Sequence, residues 1–289
     1  MNFKEKIKSG KFLLSAEIGP PKGIETEKLL AEAALISSRV DVINVTDQQS
    51  SVMRLGSLAV CALLKQKGIQ PVCQLTCRDR NRLALQSDLL SAAALGIENL
   101  LILTGDHPSA GDHPEAKPVF DLDSVQLLQV ARRLESGVDM NSNKLEGTPP
   151  RYCLGAAVNP GADPIELQIM KMEKKIAAGA EFFQTQAVYD IKAFENFVSK
   201  IKHLKVPLMA SIVLLKSAQM ARYMNEFVAG VSVPDDLIKE MEGARDKAQT
   251  SIAIASRLIN QLKPICQGIH IMPIGWGKYI PDVLDAAGL

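Results

Sequence analysis

Aromatic side chains are scarce in this 289-residue chain, at 4% of the total with a single Trp. A core of this size must therefore be filled by aliphatic groups, and hydrophobic residues supply 47% of the sequence. Charge of one sign is missing too, since 33 Lys and Arg stand against 32 Asp and Glu for a formal net charge of +1. That balance excludes a global pull toward nucleic acid or an anionic membrane surface. No apolar run reaches the roughly 18 residues of a membrane span, and MNFKEKIKSGKF is charged where a secretory leader is apolar. We expect a cytoplasmic protein with no membrane span and no nucleic-acid partner.

Cysteine and histidine are sparse as well. The five cysteines stand at 61, 73, 77, 153 and 266, and the closest pair, Cys73 and Cys77, has C-x3-C spacing with no second pair to complete a zinc site. An odd count without a leader points to reduced thiols, read as small buried hydrophobes. No strand end carries two imidazoles, so no metal is expected. A G-x-G-x-x-G turn is also absent: after the first strand comes Gly19-Pro20-Pro21. This argues against an open doubly wound sheet for dinucleotides.

What is present is rhythm. Strand-like runs cover Phe12 to Ile18, Asp41 to Thr46, Gln70 to Thr76, Asn99 to Leu103, Tyr152 to Val158, Glu181 to Thr185, Pro207 to Val213 and Gly268 to Met272. Helical spacing follows each, over Thr26 to Ser38, Gly56 to Lys67, Asn81 to Leu95, Ser124 to Leu134, Pro164 to Gly179, Phe194 to His203, Ser217 to Phe227 with Pro234 to Leu262 (the latter long enough to be broken), and Ile280 to Ala287. A short helix leads the chain, and 107–121 reads as loop. Eight βα units predict a (β/α)8 barrel, one catalytic domain over residues 1–289.

Barrels of this kind keep their chemistry where strands end. Those positions offer Glu17, Thr46, Asp47, Gln74, Thr76, Thr104, Asp106, Asn159, Gln184, Gln186, Gly275 and Gly277. The set is rich in amides and carboxylates, with no histidine beyond His107 and no activated Ser or Cys. It suits a site that hydrogen-bonds a polar heterocycle and moves one proton. The run Leu101-Ile-Leu-Thr-Gly-Asp106-His-Pro108 delivers a carboxylate to the rim. Glu17 is a lone acid in an apolar strand, where burial favours the protonated form a general acid needs. Its alternative is an ion pair with a Lys or Arg at the barrel mouth. Lys174 and Lys175, mid-helix, read as a solvated face.

Four motifs in order, Ala16-Glu17-Ile-Gly-Pro-Pro21, Gln74-Leu-Thr-Cys77, Thr104-Gly-Asp-His-Pro108 and Thr185-Gln-Ala-Val-Tyr-Asp190, give the chain a resemblance to the methylenetetrahydrofolate reductases. Its wording is most similar to short bacterial forms, those of acetogens and those fused to a homocysteine methyltransferase. The resemblance implies a flavin-dependent barrel, FAD with FMN as the alternative, reducing 5,10-methylenetetrahydrofolate to 5-methyltetrahydrofolate by hydride transfer. Such reductases serve methionine biosynthesis or the Wood-Ljungdahl pathway. The resemblance implies that Glu17 protonates folate N5 to open the methylene bridge, and that Asp106 lies between flavin and pterin. Gln186 and Gln219 would bind folate. Thr46, Gln74, Thr104, Gly105, Asn159 and Lys175, with Asp106, would contact the flavin and its phosphates. Better-known members carry His in place of Gln74 and Arg in place of Thr104, a Tyr near Val158 and an acid near Gln168. They also carry aromatics that stack reduced pyridine nucleotide, with no match here. Reduced pyridine nucleotide or an iron-sulfur partner subunit is the implied electron donor, in an oligomer or hetero-complex. The alternatives are a flavin-free, NADH-dependent folate reductase and a folate-binding subunit of an electron-transfer complex.

Overall fold

In a computed structural model that describes all 289 residues, eight parallel strands pair in sequence order and β8 returns to β1, closing a barrel. The strands are β1 Leu13–Ile18, β2 Val42–Val45, β3 Pro71–Thr76, β4 Asn99–Leu103, β5 Cys153–Val158, β6 Phe182–Ala187, β7 Leu208–Val213 and β8 Gly268–Met272. Around them lie α1 Phe3–Lys8, α2 Glu27–Ser37, α3 Ser57–Gln66, α4 Arg82–Ala94, α5 Ser124–Glu135, α6 Ile165–Ala177, α7 Ile191–Ile201, α8 Ala218–Phe227, α9 Asp235–Glu242, α10 Lys247–Leu262 and α11 Ile280–Ala286. The expected (β/α)8 architecture is the one observed. No helix is long and apolar enough to cross a membrane.

Side-chain caps set two helix boundaries. Asp190 accepts from the Ala193 amide at 2.9 Å, so α7 starts at Ile191 instead of Phe194. The stretch over 234–262, long enough to be broken, does break at Gly243, and Asp246 restarts the helix by accepting from the Ala248 and Gln249 amides.

Alternation along each strand sorts the side chains into two apolar bodies. Outward residues such as Ala16, Ile43, Ile102, Leu154, Ala210 and Ile271 pack under the helices in the main core. Inward residues Leu13, Val42, Val72, Leu101, Cys153, Phe182 and Met209 fill the N-terminal end of the barrel. Phe3 of α1 plugs that end, edge-on to Phe182 at 5.4 Å between ring centroids. With the floor filled by apolar side chains, any ligand site inside the barrel must lie at the C-terminal mouth.

Gly155 makes the plug fit. A Cβ there would sit 2.2 Å from the Phe182 ring, which occupies the space beside it across the β5–β6 pair. Gly155→Ala should therefore displace Phe182 and lower stability by about 1–3 kcal/mol, seen as a melting point several degrees down. An unchanged thermal melt would show that the plug can yield.

Candidate active site

A cavity of about 340 Å³ opens at the C-terminal strand ends, lined by residues of β1, β3, β4, β5, β6 and β8 and the loops after β2 and β4. A larger hollow of about 440 Å³ lies between α8 and α9, but its lining is surface charge, and Arg222 there is paired with Glu242. The barrel-mouth cavity holds the convergent buried groups.

Glu17 stands at its centre, 7% exposed. Its Oε2 accepts from Gln74 Nε2 at 3.0 Å, and its Oε1 from Gln49 Nε2 at 3.3 Å. His270 Nε2 lies 3.7 Å from Oε2. The expected alternative, an ion pair with Lys or Arg, is not formed: His270 is its one basic neighbour within salt-bridge distance. A buried carboxyl surrounded by amides and one imidazole can hold or release a proton without breaking a strong ion pair.

Other acids are committed to structure. Asp47, the strand-end residue of β2, is clasped by Arg80 through Nη1 at 2.7 Å and Nη2 at 3.1 Å, and it accepts from the Thr76 amide and hydroxyl. Arg80 also reaches Asp88 at 2.9 Å. Arg78, 2% exposed, forks onto Asp79 and touches the Gln48 and Asp106 carbonyls at 3.4 Å.

The loop after β2 is held in an unusual path. Gln48, Ser50 and Ser51 all have positive φ, near 48°, 56° and 57°, which non-glycine residues seldom adopt. Ser51 Oγ donates to the carbonyls of Asp106 and His107, tying this loop to the one after β4. Gly111 completes the seam: a Cβ there would lie 1.9 Å from the Ser51 carbonyl oxygen. This clamp is what turns the Gln49 amide toward Glu17.

Of the residues singled out in the sequence, Glu17, Gln74, Thr104, Gly105, Asp106 and Gln186 line the cavity together. The Asp106 side chain is exposed, with no hydrogen bond to the protein, so its carboxylate is free for a ligand. The Gly105 and Asp106 amides donate to no protein group. Gly105, at φ +93°, packs its backbone against Thr76 and Arg78. Thr104 is exposed and donates to Ser124 Oγ at 3.2 Å. Thr46 lies beside the cavity, buried, its hydroxyl without a partner.

Three expectations fall away from the cavity. The Asn159 amide bonds the Ala229 carbonyl at 2.9 Å and abuts Gly230, so it braces two loops. Gln219 is exposed in the first turn of α8 and does not line the cavity. Lys175 does not line it either, but it is no solvated-face lysine: its Nζ runs inward to the carbonyl of Ala157, a lining residue, at 2.7 Å. Burial, with help from Lys171, lowers its pKa to about 8, against an opposing pull from Asp123. The cysteines are all buried and free, and burial pushes the Cys77 thiol up to about 12, which excludes a thiolate nucleophile at the end of β3.

The residues the sequence reading missed are Gln49, Arg78 and His270. His270 sits in the run Gly268-Ile-His-Ile-Met272, and period-two alternation would have turned it inward with Gly268 and Met272. Gln49 lies four residues past the end of β2 and Arg78 two past the end of β3, where only the loop path decides their direction.

Comparison with known proteins bears on this cavity. The chain is 26% identical to "Methylenetetrahydrofolate reductase 2" of Schizosaccharomyces pombe across 99% of its own length but 47% of the yeast protein. It is 22% identical to the 5,10-methylenetetrahydrofolate reductase of Salmonella typhimurium, over 86% of this chain and 80% of that one. It thus spans about half of the yeast relative and most of the bacterial one. Among solved structures, a Clostridium thermocellum protein described as binding two copies of 5-methyl-5,6,7,8-tetrahydrofolic acid superposes with a TM-score of 0.65 at 17% identity, covering 98% and 97% of the two chains. At that identity the likeness is one of fold, shared also with oxaloacetate acetylhydrolase at a TM-score of 0.54. The family model for methylenetetrahydrofolate reductase matches residues 2–288, the whole barrel with every residue of the cavity, and on that match the chain belongs to the methylenetetrahydrofolate reductase family.

Proposed function

We propose that this chain reduces 5,10-methylenetetrahydrofolate to 5-methyltetrahydrofolate at the barrel mouth, with Glu17 as general acid. The observation that carries the reading is the buried Glu17 carboxyl, held by two amides and free of any Lys or Arg partner. Family membership and the folate-binding clostridial structure support the substrate. The product keeps its methyl on N5, so the bond that breaks is methylene to N10. The electron pair goes to N10, and N10 is therefore the atom that takes the proton from Glu17; the assignment to N5 implied by the resemblance is corrected on that ground. The free Asp106 carboxylate matches the cation left on the N5 methylene, and the Gln186 amide orients the pterin; both residues line the cavity.

A flavin, when bound, supplies the hydride. The residues present fit such a group: the Thr46 hydroxyl is buried without a partner, and two rim amides are free donors. Thr46, Gln74 and Gly105 would hold it. The test is the visible spectrum of protein reconstituted with FAD or FMN. Flavin bands that bleach anaerobically on adding 5-methyltetrahydrofolate support the reading, and protein that stays colourless overturns it.

Lys175 gives a pH dependence with a definite sign. Its folded pKa, about 8, lies below that of an unfolded lysine, so the unfolded chain binds more protons in the window between them. The unliganded fold therefore gains stability as pH rises through that window. Urea denaturation should show that gain between about pH 8 and pH 10, and Lys175→Met should lose it. A slope that survives the substitution assigns it to another group.

A further inference from the structure

Beneath Glu17 the barrel interior holds, besides Ser211, four buried polar side chains above a level that is mostly apolar. They are Ser15, Asn44, Gln184 and His270, from β1, β2, β6 and β8, each 3% exposed or less. An apolar filling of the same shape would avoid the cost of about 1–3 kcal/mol for each polar group left without a partner. The arrangement instead uses nearly every donor in one direction. We propose that the chain Asn44, Gln184, Ser15 sets the His270 ring as its Nε2–H tautomer and aims that hydrogen at Glu17, making His270 a positioning residue for the acid. The inference rests on the reading of Glu17 as general acid and names what supports it.

The direction follows from donor counting. Asn44 Nδ2 donates to Gln184 Oε1 at 2.8 Å, which turns the Gln184 amide nitrogen toward Asn44 Oδ1 at 3.2 Å and Ser15 Oγ at 3.3 Å. Ser15 Oγ accepts from that nitrogen, so its one hydrogen is left for His270 Nδ1, 2.8 Å away. Nδ1 is thereby an acceptor, and the ring proton sits on Nε2, 3.7 Å from Glu17 Oε2. At that distance the pair is poised but not hydrogen-bonded, and it closes when negative charge forms on Glu17.

The surroundings leave His270 one ionisable neighbour. Beside it on β7 is Ser211, neutral and with an unpartnered hydroxyl. Beside it on β1 is Ser15, and Met272 lies above it on its own strand. The other charged groups of the cavity are Asp47, held by Arg80, Arg78, held by Asp79, and the rim carboxylate of Asp106. When Glu17 passes its proton to N10, the carboxylate left behind has three donors at hand: Gln74, Gln49 and His270. An Nε2–H aimed at Oε2 steadies that charge.

The test reads tautomer and turnover separately. Long-range proton–nitrogen NMR of the histidine rings, with His270 assigned by its loss in His270→Gln, should show His270 as the Nε2–H tautomer. Ser15→Ala should mix the tautomers and lower kcat about tenfold, the worth of one hydrogen bond to a charged group, with KM little changed. Gln184→Met should act in the same direction, and Ser15→Thr should restore both readings. A merely structural role would move the melting point and leave tautomer and kcat alone, which overturns the proposal. So does an Nδ1–H ring in the wild-type protein, since it reverses the chain at every step. If instead Glu17→Gln leaves turnover intact while the tautomer is as stated, the general-acid reading has failed and the hydrogen-bond chain has not.

Discussion

Glu17→Gln is expected to cut folate reduction about 100- to 10,000-fold while leaving reduction of the bound flavin nearly intact. The glutamine keeps the shape of the side chain and can still bond an amide, so cavity and fold should be preserved. What it cannot do is deliver a proton to N10. Stopped-flow measurement of the two half-reactions separates these effects, because flavin reduction needs no acid at this position. Loss confined to the folate half-reaction supports the assignment. Survival of both half-reactions sinks it, and loss of both points to a disordered cavity. The effect should be larger than for any residue that only orients Glu17, since Gln49, Gln74 and His270 share that task.

Arg80→Met should have the largest effect on stability. The Asp47 side chain is fully buried, and Arg80 meets both of its oxygens while also bonding Asp88. Removing the guanidinium leaves an uncompensated charge in the barrel wall, which costs about 3–5 kcal/mol. At roughly 2–4 °C per kcal/mol, the melting point should drop about 10 °C. Pairing the change with Asp47→Leu removes the orphaned charge and should recover much of the loss. If the single and double variants melt together, the pair is not what holds this corner. Because Asp47 also fixes the Thr76 amide at the cavity wall, activity of Arg80→Met should fall even below its melting range.

Much of this was legible in the chain. Alternating apolar runs and helical spacing state the barrel, because each period can satisfy its backbone and bury its face in only one way. The strand-end rule then collects Glu17, Gln74, Asp106 and Gln186 with no knowledge of their contacts. Asn159 and Gln219 satisfied the same rule or the family pattern, and yet the structure turns one to a brace and leaves the other on the surface of α8. A position at a rim does not decide where a side chain is spent.

What needed the tertiary structure is everything that depends on closure. Ser15 and His270 are 255 residues apart and become neighbours only because β8 returns to β1. Lys175 reads as a solvated helix residue until α6 is laid against β5, where its amine finds the Ala157 carbonyl. Gln49 faces Glu17 only because a strained loop is clamped by Ser51 to the loop after β4. By itself the sequence determined the barrel and the acids at its rim, because these follow from local periodicity and burial. The tertiary structure decided which acid is left unpaired and which groups face it, because hydrogen-bond partners in a closed barrel come from strands that the chain sets far apart.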